Sequence, residues 1–456
     1  MNHDLIIIGG GPAGYLAAEK AGRAGLKTLL IEERGVGGVC LNEGCIPSKT
    51  LLYSAKLYEQ ALNGQKYGVA VTNPQLNHTV VVDRKNKVVR TLLIGIKDAL
   101  KKSGVVIFEG RAQVVGKGEE GFLVRSGEQV FEGSRLLIAT GSVPVIPPLP
   151  GIVEGLERGY VVTSRELLGL RDIPSSLVIL GGGVIGLEMA AYFSTAGSQV
   201  TVVEMLDHIA GATDGEIGGM LLKHLQKRGV SFKLSAKVTE IREKEVCFES
   251  EGKTQTLTAE KVLLSVGRRP ATQGLGLETL GVQIEGDKIL TDEFGRTSIP
   301  GVYGAGDVNG ISMLAHTAYR EAEVCVHHML GIQDTLSYQA IPAVIYTQPE
   351  VGGVGETEET ARQKGLDYEA AKLSLRFSGR FLAENEGGDG LCKVLVERSS
   401  RRLIGVHILG SYASEMIYGA AVMIEQGMRI DDIKRVVFPH PTVSEILRET
   451  LLRIEG

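Results

Sequence analysis

The chain has 456 residues, 43% of them apolar and 23% charged, with a formal net charge of −5. This composition is typical of a globular protein of roughly two to four domains, and the weakly acidic balance lacks the basic footprint of a nucleic-acid-binding protein. Apolar runs stay short of the about 18 residues that a membrane-spanning helix needs. Five cysteines are too few for a secreted disulfide scaffold, and the N-terminus has no basic, long-apolar leader, so we expect a reducing compartment, the cytoplasm.

The N-terminal segment predicts a strand, a glycine-rich turn, a helix and a second strand. We expect strands at residues 5–8 and 28–31 and a small-residue helix at 13–25. Glycines allow a tight turn and the close approach of a pyrophosphate, which the helix N-terminus stabilises. Glu32 ends the second strand, where an acid binds ribose hydroxyls. The glycines of this turn are Gly9, Gly11 and Gly14.

The same arrangement is repeated farther along the chain. Strands are expected at residues 176–180 and 199–203, with a helix at 187–196, and Glu204 follows the second strand. The acid comes 18 residues after the third glycine in both copies. Two complete dinucleotide sites imply two nucleotide cofactors, most simply FAD and a nicotinamide. The glycines of the second turn are Gly181, Gly183 and Gly186.

Two cysteines, Cys40 and Cys45, follow the first nucleotide unit. In a regular helix residues i and i+5 lie about 8.6 Å apart, whereas bridged cysteines need Cα atoms within about 7 Å. A disulfide between them therefore requires an irregular turn, which Gly44 allows. A thiol pair beside a redox-cofactor site suggests a dithiol that exchanges electrons with the cofactor. The alternative is a pair of ordinary core thiols.

The segment 37–49 resembles the redox-active disulfide of the flavin-dependent pyridine nucleotide-disulfide oxidoreductases, and its wording is most similar to the dihydrolipoamide dehydrogenases of that family. The segments 301–307 and 438–445 resemble the family's second FAD motif and its catalytic base dyad. Three residues depart from the usual wording. They are Val39, Glu43 and Phe438. We expect Glu43 to point to solvent.

The resemblance implies a role for each catalytic position. Cys40 is the thiol that exchanges with substrate, and Cys45 lies against the flavin. His440 is the base that deprotonates a substrate thiol, and Glu445 orients it. The dyad acts across a homodimer interface in this family. Lys49 lies beside the flavin and pairs with Glu188.

The resemblance also implies the fold, an α/β protein with two Rossmann-like domains, the second inserted into the first, and a C-terminal α+β dimerisation domain. The expected divisions are an FAD-binding domain at 1–146 and 271–340, an NAD-binding domain at 147–270 and an interface domain at 341–456. The further cofactor-binding candidates are Thr140, Gly141, Gly267 and Asp307.

Glu204 favours NAD over NADP because a carboxylate repels a 2′-phosphate. The predicted reaction is the oxidation of protein-bound dihydrolipoamide to lipoamide, with electrons passing through the Cys40–Cys45 disulfide and FAD to NAD⁺. The expected partners are a second copy of the chain and a lipoyl-bearing protein of a 2-oxo acid dehydrogenase or glycine-cleavage system. No metal site, nucleic acid or membrane span is expected. The rivals are reductases of glutathione or a metal ion and a redox-inactive flavoprotein subunit.

Other conspicuous residues suggest only structure. A long helix is expected within 73–102, where Arg84, Lys85, Lys101 and Lys102 would form a solvated basic face. The remaining thiols and a histidine pair have no metal-ligand spacing, so we interpret them as structural. They are Cys247, Cys325, Cys392, His327 and His328.

Overall fold

A computed structural model describes residues 2–455, which form two compact units. The first unit comprises residues 2–50, 82–145 and 267–336, and the second comprises residues 51–81, 146–266 and 337–455. Each unit is assembled from separate stretches of sequence because the chain leaves the first sheet and returns to it. No helix among the described residues is long and apolar enough to cross a membrane.

The first unit is built on a five-stranded parallel sheet whose central strand is Leu5–Ile8. Side chains alternate between its faces, since successive residues of a strand point in opposite directions. Leu5 and Ile7 pack against helices Pro12–Arg23 and Ala315–Met329, whereas Ile6 and Ile8 pack against a second sheet. The parallel strands lie in the order Val302–Gly304, Leu136–Ile138, Leu5–Ile8, Thr28–Glu32 and Val106–Glu109. The second sheet has the order Asn2–His3, Gln129–Gly133, Phe122–Ser126 and Ala112–Lys117.

The second unit repeats this plan around strand Ser176–Leu180. One face of its parallel sheet packs on helix Val184–Thr195 and helix Gly215–Lys227, and the other packs on a three-stranded antiparallel sheet. The parallel order is Val161–Val162, Lys261–Leu264, Ser176–Leu180, Gln199–Val203 and Ser231–Lys233. The antiparallel strands are Lys237–Arg242, Glu245–Ser250 and Lys253–Thr258.

The C-terminal part of the second unit is a five-stranded antiparallel sheet with helices over a shared core. Its strands lie in the order Ala343–Ile345, Glu350–Gly355, Leu403–Gly410, Leu391–Glu397 and Tyr368–Ser374. Helices Ala413–Glu425 and Glu445–Leu451 contribute to this core. The predicted fold class, an inserted second Rossmann-like domain and a C-terminal α+β domain, is confirmed. The four domain boundaries stay a prediction.

The remaining elements connect these layers. The other α-helices are Gly38–Glu43, Cys45–Leu62, His78–Lys102, Ile152–Glu157, Ser164–Leu167, Glu358–Gln363, Gly379–Glu384 and Ile430–Ile433. Short 3-10 helices span Gly64–Tyr67, Leu277–Thr279, Asp307–Asn309 and Leu375–Phe377. Two-stranded pairs join Ser142–Pro144 to Arg268–Pro270 and Ile284–Glu285 to Lys288–Ile289.

Two expectations need adjustment. The helix predicted at 13–25 ends at Arg23, because Gly25 has a φ of +88° and cannot continue it. The long helix predicted within 73–102 is present at His78–Lys102. The expectation that its basic residues form a solvated face is wrong at Lys85, which is buried.

Candidate functional site

The first glycine-rich turn requires glycine at both ends because no side chain fits there. Gly9 has a φ of +102°, and a Cβ on it would lie 2.3 Å from the carbonyl oxygen of Ala139. A Cβ on Gly14 would lie 1.8 Å from the carbonyl oxygen of Gly9. Gly11 is the N-cap of helix Pro12–Arg23, whose first amides have no partner within the helix. The turn therefore has the shape and the donors that a pyrophosphate needs.

Glu32 is tied to this turn by backbone hydrogen bonds. Its carboxylate accepts from the amides of Gly10 at 2.6 Å, Arg34 at 2.7 Å and Gly35 at 3.0 Å. These bonds hold the acid at the end of its strand, beside the glycine-rich turn. A carboxylate placed there can accept hydrogen bonds from the ribose hydroxyls of a dinucleotide.

The second turn has the same construction. Gly181 has a φ of +103°, and its Cβ would lie 2.5 Å from the carbonyl oxygen of Ser265. A Cβ on Gly186 would lie 2.2 Å from the carbonyl oxygen of Gly181. At Gly183, by contrast, a Cβ would meet no described atom within 4 Å. That open space lies where the backbone of such a turn approaches a pyrophosphate.

Glu204 takes the place in the second turn that Glu32 takes in the first. Its carboxylate accepts from the amide of Gly182 at 2.6 Å and from that of Leu206 at 2.8 Å. The two copies thus agree in the conformation of the turn and in the bond from acid to turn. Both fit a dinucleotide.

The thiol pair spans a break between two helices. Gly44 alone separates helix Gly38–Glu43 from helix Cys45–Leu62. Gly44 has φ −145° and ψ −105°, so its backbone is not helical. A Cβ there would also come within 3.1 Å of the carbonyl oxygen of Val39. The irregular turn predicted from the cysteine spacing is confirmed.

The side chains of Cys40 and Cys45 meet across this break as a hydrogen-bonded dithiol. That hydrogen bond, followed by burial, raises the pKa of Cys40 above its ordinary value. The charge of Lys49 opposes the rise, and that of Asp307 adds to it. The contact with Cys45 therefore favours the protonated thiol of Cys40. A disulfide, the oxidised form of the pair, stays a prediction.

Asp307 is fixed by two side chains that the sequence argument missed. Its carboxylate accepts from the hydroxyl of Ser142 at 2.5 Å. Arg268 donates to the same hydroxyl at 2.8 Å and to the carbonyl oxygen of Ser142 at 2.7 Å. Ser142 directly follows the candidate Gly141 and Arg268 directly follows the candidate Gly267, and these positions were the available signal.

The short strands that follow Gly141 and Gly267 pair with each other. Ser142–Pro144 pairs with Arg268–Pro270 in antiparallel register. Gly141 and Gly267 precede the two strands with φ of +70° and +122°. The hydroxyl of Thr140 donates to a backbone carbonyl of the loop after the second strand, at 2.8 Å. The structure brings these candidates together with Asp307, although their contact with a flavin stays a prediction.

A tyrosine pair was also missed. Tyr15 and Tyr319 share a hydroxyl–hydroxyl hydrogen bond, with ring centroids 5.9 Å apart. Tyr15 belongs to the core cluster that includes Leu41, and Tyr319 packs against that cluster together with Ile46. Leu41 and Ile46 are the neighbours of the two cysteines in the sequence. Burial raises the pKa of both phenols, so they stay neutral and can donate hydrogen bonds. The tyrosines lie far apart in sequence, and no local pattern indicates their contact.

The predicted base dyad is formed. Nδ1 of His440 lies 2.8 Å from Oε1 of Glu445, and the amide of Thr442 donates to Oε2 at 2.8 Å. The Thr442 bond, with smaller contributions from His440, holds the pKa of the Glu445 carboxyl below its usual range. With Nδ1 facing the carboxylate, Nε2 is the nitrogen available to a substrate proton. The His440 side chain is 79% exposed.

Two further residues singled out in the sequence, Glu188 and Phe438, pack within the protein. Glu188 is buried in helix Val184–Thr195, and its carboxylate accepts from the amide of Tyr346 at 3.1 Å. Its predicted pairing with Lys49 stays a prediction. Phe438, one of the three departures noted in the sequence, packs against the core of the C-terminal sheet. It therefore supports the loop that carries His440.

Glu43 does not point to solvent, so that expectation is wrong. Its side chain is 17% exposed, and Oε1 lies 3.0 Å from Nη1 of Arg34. A carboxylate that loses most of its water needs a compensating partner, and the guanidinium supplies one. The partner lies nine residues upstream in a loop, which is beyond what helical or strand spacing predicts.

The chain belongs to the pyridine nucleotide-disulphide oxidoreductase family. The family model matches residues 3–322, and the model of the family's dimerisation domain matches residues 341–451. The chain is 38% identical over 460 residues to mitochondrial dihydrolipoyl dehydrogenase of Pisum sativum, covering 99% of this chain and 91% of that protein. It is 38% identical over 463 residues to the Bos taurus protein of the same name, covering 98% and 90%.

Solved structures agree with this family. The HOCl-induced flavoprotein disulfide reductase RclA from Escherichia coli, as a Cu(II) complex, superposes with a TM-score of 0.88 at 27% identity over 100% of both chains. LpdA from Mycobacterium tuberculosis superposes with a TM-score of 0.89 at 26% identity over 99% of this chain and 100% of that one. The chain is therefore an oxidoreductase that uses FAD and NAD, and its Cys40–Cys45 pair fits the redox-active position.

Proposed function

We propose that the chain is an NAD-dependent dihydrolipoyl dehydrogenase that oxidises protein-bound dihydrolipoamide to lipoamide. The observation that carries the proposal is the Cys40–Cys45 dithiol at the helix break, in the unit that contains the first dinucleotide turn. A dithiol substrate and a protein disulfide can exchange two electrons without a further reactant. The named activity of the pea and cattle relatives supports this choice of substrate.

The protein's own groups supply the proton and sulfur chemistry. His440, oriented through Nδ1 by Glu445, accepts the proton of one substrate thiol at Nε2. The resulting thiolate attacks Sγ of Cys40, a sulfur–sulfur bond forms, and the Cys40–Cys45 bond breaks with Cys45 leaving as a thiolate. The second substrate thiol then attacks the substrate sulfur of the mixed disulfide, and the bond to Sγ of Cys40 breaks. Oxidised lipoamide is released, and the two substrate protons, one of them held by His440, balance the charge of the reduced cysteine pair. Bound FAD supplies the two-electron link between this dithiol and NAD⁺.

The two dinucleotides are assigned to separate turns. The first turn with Glu32 would hold FAD together with Lys49, Asp307 and the Thr140–Gly141 loop, because these residues lie in the unit that carries the dithiol. The second turn with Glu204 would hold NAD. Its carboxylate accepts hydrogen bonds from a ribose and repels a 2′-phosphate. Gly267 and Glu188 complete the proposed cofactor and catalytic set.

The exposure of His440 favours a homodimer. A general base works best where a bound substrate and the protein exclude water, yet this imidazole is 79% exposed in the single chain. The match to a dimerisation domain at residues 341–451 supports the same arrangement. We propose that the dyad completes the dithiol site of a second copy, and that a lipoyl-bearing protein delivers the substrate. A cytoplasmic location is proposed from the low cysteine content.

The test is turnover by the purified holoenzyme. Dihydrolipoamide and NAD⁺ should give NADH, and glutathione with NAD⁺ should give none. Protein that retains FAD but forms no NADH from dihydrolipoamide contradicts the proposal. Turnover with glutathione in place of dihydrolipoamide would assign the chain to another disulfide substrate.

A further inference from the structure

A lysine is buried in the second unit, on the C-terminal sheet. Lys393 belongs to strand Leu391–Glu397, and its side chain is 3% exposed. Cys392 lies in the core of the C-terminal sheet, whereas Leu391 packs against the core of the parallel sheet. Since alternate residues of a strand share a face, Lys393 points to the same side as Leu391. A lysine that loses its water in this way needs charged partners.

Three carboxylates surround the ammonium group of this lysine. Its Nζ lies 3.0 Å and 3.1 Å from the two carboxylate oxygens of Asp214, 2.9 Å from Oε2 of Glu216 and 2.9 Å from Oε1 of Glu358. An ammonium has three N–H donors, so each carboxylate can receive one of them. Burial lowers the pKa of Lys393, but hydrogen bonds to these carboxylates outweigh burial and raise the pKa above its ordinary value. The lysine therefore stays charged although it is buried.

Two of the three carboxylates also pair with a second, exposed cation. These pairs are Glu216 with Lys372 at 2.7 Å and Glu358 with Arg362 at 2.9 Å. Asp214 differs from them because its side chain is fully buried. Among the described residues, Lys393 is the one cation that pairs with Asp214. The loss of Lys393 would therefore leave Asp214, more than the other two acids, without an opposing charge.

Asp214 joins a loop to a helix. It is the N-cap of helix Gly215–Lys227, and the amides of the second and third helix residues donate to its Oδ1 at 3.2 Å. The loop before this helix, residues 204–214, begins with Glu204, the acid of the second glycine-rich turn. By holding Asp214, Lys393 fixes the point at which the loop ends.

Loop 204–214 is bonded to the second turn through both backbone groups of Gly182. The amide of Gly182 donates to Glu204 at 2.6 Å, and its carbonyl oxygen accepts from the amide of Ala210 at 2.8 Å. Ala210 has a φ of +67°, which costs free energy in a residue that has a side chain. Such a conformation persists only where surrounding contacts hold it. Asp214 follows four residues later, so its ion pair is one of the contacts that can hold the loop.

We propose that Lys393 is a positioning residue for the nicotinamide dinucleotide, because it holds Asp214 and thereby the loop that carries Glu204 and is bonded to Gly182. The proposal rests on the assignment of NAD to the second turn. Lys393 acts through Asp214 rather than through contact with the nucleotide. All four residues lie in the second unit.

Two variants remove this ion pair in different ways. Lys393→Met keeps a long apolar side chain but leaves the buried carboxylate of Asp214 without its cation, so the fold loses stability. Asp214→Ser removes the carboxylate and retains a good N-cap for the helix. In that variant Lys393 still has Glu216 and Glu358 as partners, so we expect the protein to fold.

The experiment measures NAD⁺ binding to the oxidised, FAD-loaded protein by isothermal titration calorimetry. Each variant should raise Kd for NAD⁺ about fivefold, as expected for a residue that acts through another. KM for dihydrolipoamide should stay unchanged, since the ion pair lies on the side of the second turn. The variant that combines Lys393→Met with Asp214→Ser should bind NAD⁺ no more weakly than Lys393→Met, because both changes break one contact.

Lys372→Met is the matched control. Lys372 lies opposite Lys393 in the neighbouring strand and pairs with Glu216, but it has no ion pair with Asp214 among the described residues. Its removal takes one lysine from the same group of charges and leaves the anchor of the loop in place. Kd for NAD⁺ in this variant should equal that of the wild type.

The outcomes separate this inference from the proposed function. If Lys393→Met lowers the melting temperature but leaves Kd for NAD⁺ unchanged, the lysine serves stability alone and its positioning role is overturned. Where Lys393→Met does not fold, an unchanged Kd in Asp214→Ser overturns the role equally. Weaker NAD⁺ binding in both variants, in a protein whose wild type forms no NADH from dihydrolipoamide, would retain the role of Lys393 and reject the proposed substrate.

Discussion

The two glycine-rich turns share one backbone design but differ in what lies over them. In the first turn, the start of helix Gly38–Glu43 approaches so closely that a Cβ on Gly38 would lie 2.5 Å from Cα of Gly11. In the second, a Cβ on Gly183 would meet no described atom within 4 Å. A covered turn suits a nucleotide that stays bound, whereas an open turn suits one that enters and leaves in each cycle. The same fold unit can therefore serve a retained and an exchanging cofactor.

The largest expected effect concerns the dithiol, which only the first turn has beside it. Cys45→Ser should reduce dihydrolipoamide-dependent NADH formation by at least about 10³-fold, because the exchange has no leaving thiolate. FAD should stay bound, and the thiolate–flavin absorbance should disappear. Steady-state kinetics and a visible spectrum measure both. Cys247→Ser, at a buried thiol outside this segment, is the control, and a persisting absorbance band in Cys45→Ser would contradict the assignment.

Two glycine-to-alanine substitutions, one beside each turn, test whether the first turn is covered by protein and the second is open. Gly38 has a φ of +57° and a backbone atom in the way, so Gly38→Ala should destabilise the fold by at least about 2 kcal/mol and lower the FAD content. Gly183→Ala should leave the melting temperature and FAD content unchanged and raise KM for NAD⁺, because the methyl group occupies the space proposed for the pyrophosphate. Thermal denaturation, the flavin-to-protein absorbance ratio and kinetics measure these effects. Equal destabilisation by both variants would remove the distinction between the turns.

The acids of the two turns should differ in what they select. Glu204→Gln removes the charge that repels a 2′-phosphate, so kcat/KM for NADP⁺ relative to NAD⁺ should rise about tenfold. Glu32→Gln, the equivalent change in the first turn, should leave that ratio unchanged and weaken FAD retention. Initial rates with each nucleotide at saturating dihydrolipoamide give the ratios. A ratio that moves with Glu32→Gln and not with Glu204→Gln would exchange the two cofactor assignments.

Local sequence patterns were sufficient to predict both turns and both acids. Alternating apolar residues place Leu5 and Ile7 on one face of the sheet and Ile6 and Ile8 on the other, and glycines mark the places where a Cβ would collide with backbone. The break at Gly44 followed from the cysteine spacing and disulfide geometry. Each of these features depends on residues close together in sequence, where bond geometry limits the alternatives.

Contacts between distant segments could not be predicted in this way. Ser142 and Asp307 are separated by 165 positions in the sequence, and Tyr15 and Tyr319 by 304. Glu43 was assigned to solvent because a charged side chain is usually exposed. Its partner became apparent only when the fold placed the Arg34 loop beside the dithiol helix. Whether a charged side chain can be buried depends on the partner that the tertiary structure provides. Neither the periodicity of apolar residues nor the sequence of a motif specifies that partner.

The smallest expected effect concerns the titration of Cys40 beside the covered turn. The hydrogen bond that the Cys40 thiol makes to Cys45 is the largest cause that raises the pKa of Cys40, ahead of burial. Cys45→Ala removes that bond, so the Cys40 thiolate should form at a lower pH, with an alkylation midpoint shifted down by about one pH unit. Reaction of the variant holoenzyme with iodoacetamide across pH 6–10 measures the midpoint, with mass spectrometry to identify Cys40. An unchanged midpoint would mean that burial, rather than the contact between the two sulfurs, keeps Cys40 protonated.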